Sequence, residues 1–327
     1  MDEMISFLTP YWCGQEMMRI HLGSIRQFYP QAPILVSKKD DDAEEMEAHR
    51  AEFGIRYWLE DCGCWGALLR LLKRCDTEYV CICDHDTVLL SSLDPLLAGL
   101  REGRYELVGV EERIRFPDRD EWMRFAPGYM DTALLMFNLR DFLRKWGLRG
   151  IRGKRTPGTL EWEEHYGICQ KLRRHKYLLP FHTRKYGLGN LLKDGETPVV
   201  WHQWYGSYRA RLGPECSAGA GAGPGGASLA DSPVFDLCDL SKPYMGVPVA
   251  QLARAERTFL ADYPHLDLSE LTPAWGPGCD VRAEQLAAAR DNPCTGVRGL
   301  AARAGAKLRR WRAARYERRR RAQGPKP

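Results

Sequence analysis

The sequence predicts an α/β fold with a mostly parallel central sheet and helices packed against its faces. Short apolar segments alternate with segments of helical periodicity through the first half of the chain, which is typical of βαβ units. With 327 residues, 44% of them hydrophobic, the chain can bury a substantial core. No apolar run approaches the roughly 20 residues of a membrane span, and Met1-Asp2-Glu3 is not a basic leader. We therefore expect a cytoplasmic protein.

The order of strands and helices follows from local patterning. Apolar runs bounded by turn residues predict strands at 4–8, 34–36, 55–59, 79–83, 107–110 and 133–137. The first helix is predicted from apolar residues at i, i+4, i+7 and i+11, namely Met18, Leu22, Ile25 and Tyr29. Further helices are predicted at 43–52, 65–72, 94–100, 159–171 and 249–263.

Composition divides the chain into four segments. The predicted α/β domain occupies 1–212, and the Gly/Ala-rich stretch at 213–230 is typical of a flexible linker. A small C-terminal extension is predicted at 231–297. Residues 298–327 form a basic tail, which we expect to be helical or disordered.

The basic tail accounts for the positive charge of the protein. The whole chain carries a net charge of +5, and the tail contains twelve Lys and Arg residues but only one acid, Glu317. Residues 300–323 fit a surface helix on an anionic membrane, where each basic residue contributes about 1 kcal/mol. A disordered, solubilising tail fits equally well. Nucleic acid is a third and less favoured partner, since Lys and Arg neutralise its phosphates regardless of sequence.

Two carboxylates separated by one residue follow the apolar strand at 79–83. Residues i and i+2 of a strand point to the same side, so Asp84 and Asp86 can meet one divalent cation. Carboxylates together with substrate phosphates are the usual ligands of Mg²⁺ and Mn²⁺. The same spacing also occurs in ordinary solvated turns, and that interpretation stays open.

Three polar segments follow three predicted strands, at 9–12, 40–42 and 84–86. The carboxyl ends of parallel strands meet at one edge of a sheet, where ligands of α/β proteins bind. We therefore expect these segments to line one pocket.

These motifs resemble a known family. Residues 79–97, YVCICDHDTVLLSSLDPLL, resemble the metal-binding strand of glycosyltransferases with the GT-A fold, which is Rossmann-like, and are most similar to glycogenin-like and galactinol-synthase-like retaining enzymes. Residues 130–139, MDTALLMFNL, and 199–209, VVWHQWYGSYR, resemble two later segments of that family. The similarity covers about residues 4–211, and it departs from the family pattern at His85, Asp131, Ala133 and Arg209.

The resemblance implies a metal-dependent transferase domain over 1–212. Such an enzyme uses Mn²⁺ or Mg²⁺ and a nucleotide-sugar, in this case a UDP-sugar, and moves the sugar to a hydroxyl of a glycan, lipid or protein acceptor. The family also places a His at the position of His202, which we predict as the third metal ligand beside Asp84 and Asp86, since imidazole suits Mn²⁺. A strand-end His held by hydrogen bonds is the alternative.

Six residues are candidate contacts to the nucleotide-sugar: Thr9, Tyr11, Asp40, Asp84, Gly206 and Arg209. Thr9, Tyr11 and Asp40 would hold the nucleoside, although the acids at 40–42 could instead complement a helix dipole. The backbone of Gly206 and the guanidinium of Arg209 would hold the diphosphate, because Arg makes bidentate phosphate contacts. An ordinary solvated Arg is the alternative.

Three acids are candidates for the catalytic chemistry. Asp131, with Glu163 or Glu164, would bind hydroxyls of the donor sugar. If the enzyme inverts configuration, Glu164 could act as the base that deprotonates the acceptor. A solvated helix face would explain the acids of the 161–164 segment equally well.

Two other functions compete with glycosyl transfer. A nucleotidyltransferase that makes a nucleotide-sugar would use a similar sheet, but the segment 10–14 after the first strand lacks the basic residues typical of that chemistry. A catalytically inactive GT-A-like binding module, tethered by its basic tail, is the second alternative.

Overall fold

The computed structural model describes residues 5–12, 14–38, 43–60, 64–111, 113–115, 122–124, 130–151, 166–183, 185–186, 189–203 and 249–273. The strands are β1 (Ile5–Tyr11), β2 (Ile34–Lys38), β3 (Arg56–Leu59), β4 (Tyr79–Ile82), β5 (Thr87–Leu89), β6 (Leu107–Glu111), β7 (Arg113–Arg115), β8 (Trp122–Arg124), β9 (Met130–Asn138), β10 (His175–Tyr177), β11 (Leu179–Thr183), β12 (Gly189–Asp194), β13 (Thr197–Gln203) and β14 (Leu271–Pro273). The helices are α1 (Gln15–Phe28), α2 (Ala43–Phe53), α3 (Cys64–Arg74), α4 (Asp94–Arg101), α5 (Leu139–Trp146), α6 (Tyr166–Lys171) and α7 (Val249–Asp262).

A seven-stranded sheet in the order β10-β6-β9-β4-β1-β2-β3 forms the centre of the molecule. Four of its strand pairs are parallel, and only β9 runs antiparallel to its neighbours β4 and β6. Two apolar clusters cover its opposite faces, one with residues of α1, α2 and α4 and the other with residues of α3, α5 and α6. The predicted α/β class with a mostly parallel sheet is confirmed.

The first strand is longer than the sequence predicts. β1 continues through Tyr11, because Thr9, Pro10 and Tyr11 pair in parallel with residues of β2. The prediction that the strand ends at residue 8 is therefore wrong. The strand predicted at 133–137 likewise begins earlier, because β9 starts at Met130.

A second, five-stranded antiparallel sheet follows in the order β14-β11-β12-β13-β5. Its strand β5 comes directly after the Asp84–Asp86 turn, so the chain passes from the larger sheet into the smaller one at that turn. Sequence patterning did not predict this sheet. β5 has only three residues, and its partner β13 lies far along the chain.

Residues 249–273 pack against this second sheet. The ring of Phe259 in α7 stacks on Trp201 of β13, with centroids 5.7 Å apart and an angle of 16°, and Tyr186 contacts both rings edge-on. Gly189 lies under the Trp201 ring, where a Cβ would come within 2.1 Å of a ring carbon. This part of the predicted 231–297 extension thus belongs to the folded body, and β14 pairs with β11.

The predicted linker at 213–230 and the basic segment at 298–327 lie outside the described residues. Among the helices that the structure does describe, none combines the length and the apolar character that crossing a bilayer requires.

The packing of α7 yields a stability prediction. Phe259→Ala should lower the free energy of unfolding by about 3–5 kcal/mol, because it removes a fully buried ring that packs on both Trp201 and Tyr186. Chemical denaturation of the full chain measures this loss. Arg257→Ala, an exposed position on the same helix, is the matched control. Equal stability of the two variants would show that α7 does not pack on β13.

Candidate functional site

The structure brings together the three residues predicted as metal ligands. Asp84 and Asp86 lie between β4 and β5, and His202 lies in β13. Each offers one donor atom, and the three atoms all lie within 4.8 Å of one another. Nε2 of His202 is 3.4 Å from Oδ1 of Asp86, and each of these two side chains is only 6% exposed. Asp84 is partly exposed.

Backbone and hydroxyl contacts hold the first carboxylate. The hydroxyl of Thr132 donates to Oδ2 of Asp84 at 3.0 Å, and the amide of Asp84 donates to the carbonyl of Thr132 at 3.1 Å. The carbonyl of Asp84 accepts from the amide and the hydroxyl of Thr87, at 3.1 and 2.7 Å. Thr132 of β9 therefore orients the side chain of Asp84, and the main chain of Asp84 is held by both β9 and β5.

Gln203 links the backbone of Asp86 to the strand that carries His202. Its backbone N–H donates to the backbone carbonyl of Asp86 at 2.8 Å. Its fully buried side chain donates to the carbonyl of Tyr186 at 3.2 Å and accepts from Nε1 of Trp201 at 3.1 Å. The relative position of Asp86 and His202 is thus set by packing inside the second sheet.

This donor set suits Mg²⁺ or Mn²⁺. Ligands at about 2.0–2.1 Å from such a cation lie roughly 3–4 Å from one another, so donors within 4.8 Å need only a small closing movement. Two neighbouring carboxylates in a partly buried site repel each other, and a divalent cation relieves that repulsion. Carboxylate and imidazole ligands together are compatible with Mn²⁺.

A buried charged cluster lies where β1 and β2 end. The Tyr11 hydroxyl and the Lys38 ammonium both donate to the carboxylate of Glu45, and Nε2 of His49 lies 3.4 Å from the same carboxylate. Burial alone would raise the pKa of Glu45, but the adjacent His49 imidazole and the hydrogen bonds from Lys38 and Tyr11 lower it to about 2. The Tyr11 ring contacts His85 edge-on at 5.1 Å, so this cluster adjoins the Asp84–Asp86 turn.

The predicted nucleoside contacts of β1 face inward. Thr9 is fully buried, and its hydroxyl lies 2.9 Å from Nε2 of His21. Tyr11 is only 3% exposed. In this conformation, any contact of Thr9 with a nucleoside has to come from its backbone, and stacking on Tyr11 requires the ring to be uncovered.

The remaining predicted residues are distributed differently. Asp131 lies in β9 and is partly exposed, and its Oδ1 accepts a long hydrogen bond of 3.4 Å from the amide of Ala133. Strand alternation points Asp131 and Thr132 to opposite faces, so it is Thr132 that reaches Asp84. Five predicted residues lie outside the described part of the chain: Asp40, Glu163, Glu164, Gly206 and Arg209.

Sequence reasoning missed the polar residues behind the carboxylates. His21 and Ser24 are buried on the same face of α1 as Met18, Leu22 and Ile25. Polar residues on the apolar stripe of a helix are a readable signal, because buried polar groups need partners. Thr132 has no such signal, because its contact with Asp84 depends on the pairing of β4 with β9.

Comparisons with known proteins give distant likenesses. No protein-family model and no curated protein matches the sequence. Among solved structures, TarS of S. aureus is similar with 10% identity and a TM-score of 0.41. The match covers 64% of this chain but only 38% of the TarS chain. The galactosyltransferase LgtC, in complex with donor and acceptor sugar analogs, is 14% identical over 53% of this chain and 72% of its own, with a TM-score of 0.41.

A third solved structure covers more of the chain. The mannosyltransferase PcManGT from Pyrobaculum calidifontis, in complex with GDP-Man and Mn²⁺, is 14% identical over 93% of this chain and 86% of its own, with a TM-score of 0.41. Identities and TM-scores this low carry no functional argument. The function has to be inferred from the geometry of the site itself.

The charged cluster around Glu45 yields a pH prediction. Because its pKa is lowered from 4.5 to about 2, Glu45 contributes stability above pH 4.5 that is lost as the pH falls towards 2. Glu45→Gln should lower the free energy of unfolding at pH 7 by about 3–5 kcal/mol, since Lys38 loses its buried partner. The loss of stability between pH 5 and pH 2 should be shallower in this variant than in the wild type.

Denaturant unfolding at several pH values measures both effects. Glu52→Gln in the same helix is the matched control, because Glu52 pairs with Arg19 at the exposed surface and such pairs contribute little. If Glu45→Gln and Glu52→Gln have the same pH profile, the buried cluster does not stabilise the fold.

Proposed function

We propose that this chain is a metal-dependent glycosyltransferase of the GT-A type. It moves a sugar from a nucleotide-sugar, by resemblance a UDP-sugar, to a hydroxyl of its acceptor. The observation that carries the proposal is the cluster of Asp84, Asp86 and His202, whose donor atoms lie within 4.8 Å of one another at the carboxyl edge of the sheet. That edge is where α/β proteins bind their ligands.

The three ligands would hold Mn²⁺ or Mg²⁺. A divalent cation bound there supplies Lewis-acid stabilisation of the negative charge on a departing nucleoside diphosphate. The protein's own contribution is to fix the ligands in advance. Thr132 orients Asp84 by a hydrogen bond of 3.0 Å, and Gln203 fixes the backbone of Asp86. Such supporting contacts keep a site ordered before its ligand arrives.

The donor side of the pocket lies next to the metal ligands. His85 stands between Asp84 and Asp86, and its ring contacts Tyr11 at the end of β1. The candidate sugar and diphosphate contacts at Asp131, Gly206 and Arg209 complete the proposal as the resemblance implies it. The acceptor is a hydroxyl compound, and the basic segment 300–323 is a candidate contact to an anionic membrane surface.

Metal-dependent binding of a nucleotide is the first experiment. The full chain is melted with UDP, GDP or CMP, or with their sugars, each in Mn²⁺ and in chelator. A ligand at a hundredfold excess over its Kd stabilises the folded state by about 2.7 kcal/mol. We expect a rise in the melting temperature that requires Mn²⁺ and is largest with UDP or its sugars, followed by release of the nucleotide when an acceptor is supplied.

Asp84→Asn tests the assignment of the site. It keeps the shape of the side chain but removes a ligand charge, so the Mn²⁺-dependent rise and the turnover should both disappear while the melting temperature in chelator changes little. Asp76→Asn is the matched control, because Asp76 precedes the opposite end of β4 and its side chain is 76% exposed. Retention of the Mn²⁺-dependent rise in Asp84→Asn would overturn the site, and absence of any rise in the wild type would favour a binding module.

A further inference from the structure

Thr87 is directly connected to all three candidate metal ligands. It follows Asp86 directly in the sequence, and it is the register partner of His202 across the β5–β13 ladder. Its hydroxyl donates to the carbonyl of Asp84 at 2.7 Å. A displacement of Thr87 would therefore move the three donor groups relative to one another.

Side chains of α1 satisfy the outer edge of β5. In the part of the chain that the structure describes, β5 is the terminal strand of its sheet, with β13 on one side. Thr87 and Leu89 direct their backbone groups to the same edge, because alternate residues of a strand do so. There the carbonyl of Thr87 accepts from Nδ1 of His21 at 2.8 Å, and the amide of Leu89 donates to Oγ of Ser24 at 3.0 Å. These two side chains make the bonds that a neighbouring strand would make.

The contacts of His21 define its protonated nitrogen. A carbonyl oxygen only accepts hydrogen bonds, so Nδ1 of His21 carries a proton. Nδ1 also lies 3.2 Å from Oγ1 of Thr87, whose own proton is directed to Asp84. At the other side of the ring, Nε2 lies 2.9 Å from the hydroxyl of Thr9 in β1. The imidazole is 1% exposed and bridges β1 to β5 directly behind the candidate site.

We propose that His21 is a positioning residue for the divalent-cation site. Its Nδ1–H fixes Thr87, and Thr87 sets the relative positions of Asp84, Asp86 and His202. On the other side of the ring, Nε2 contacts the hydroxyl of Thr9 and, at 3.7 Å, Sγ of Cys83, the residue before Asp84. These contacts anchor the ring to β1 and to the end of β4, but they touch none of the three ligands. This inference rests on the proposed function, because it requires the three ligands to bind a cation.

Two amide substitutions separate the two sides of the ring. The short side chain in His21→Asn can place an N–H near the position of Nδ1 and keep the bond to Thr87. The longer side chain in His21→Gln reaches the position of Nε2 and keeps the bond to Thr9. Each variant loses one buried hydrogen bond, so both should melt at a lower temperature in chelator.

The Mn²⁺ affinity of the full chain distinguishes the two variants. If His21 served only the stability of the fold, the two variants would not differ in this affinity. It is measured by electron paramagnetic resonance, in which the signal of free aqueous Mn²⁺ falls as the ion binds. We expect His21→Gln to bind Mn²⁺ about 10- to 100-fold more weakly than the wild type, and His21→Asn to bind it with nearly wild-type affinity. Equal affinities in the two variants, whether both kept or both weakened, would overturn the proposal.

A second variant covers the case in which His21→Gln does not fold. Thr87→Val keeps the β-branched shape and the backbone carbonyl that accepts from His21, but it loses the hydroxyl that donates to Asp84. It should show the same weakening of Mn²⁺ binding, and unchanged binding would contradict the proposal. If the wild type itself binds no Mn²⁺, the proposed function and the role of His21 both fail. If the wild type binds Mn²⁺ and both His21 variants bind it with the same affinity, only the role of His21 is overturned.

Discussion

The pairing of β5 with β13 is the interaction on which the candidate site depends. β5 continues the segment that carries Asp84 and Asp86, whereas β13 brings His202 from a distant part of the chain. The β5–β13 ladder places Thr87 opposite His202. A further hydrogen bond, from the backbone N–H of Gln203 to the backbone carbonyl of Asp86, extends the ladder. Each of the two strands is supported by a helix. α7 packs against β13 through Phe259, and side chains of α1 form hydrogen bonds with the outer edge of β5.

Much of the larger sheet could be predicted because its strands and helices are locally encoded. The apolar residues of α1 recur at helical spacing, and the runs that became β2, β4 and β6 are buried strands bounded by turn residues. The Asp84–Asp86 pair was recognisable because two carboxylates at the end of an apolar strand are chemically conspicuous. His202 was identified only from the family resemblance, since one His in a late strand has no local signal of its own.

The second sheet and the inward-facing residues could not be predicted for a common reason. Both depend on pairing between segments that are far apart in the sequence. β1 lies between β2 and β4 with both faces covered, so alternation of polar and apolar residues does not reveal that Thr9 faces His21. The contact of Thr132 with Asp84 follows from the antiparallel placement of β9, and the predicted mostly parallel sheet did not specify which strand would be antiparallel. Local patterning shows which segments form strands but not which neighbours those strands have.

The wide separation of β5 and β13 also determines the order in which the protein can form on the ribosome. Residues 5–138 contain six of the seven strands of the larger sheet, so that sheet can assemble early, when β5 of the smaller sheet has already been synthesised. β13 is complete at Gln203, and at about 5–20 residues per second the intervening chain takes roughly 6–23 s to synthesise. During that interval the edge of β5 that will face β13 has no strand to pair with, and an unpaired strand edge is a template for association with other chains. The nascent chain thus carries this unpaired edge until its candidate metal ligands first meet.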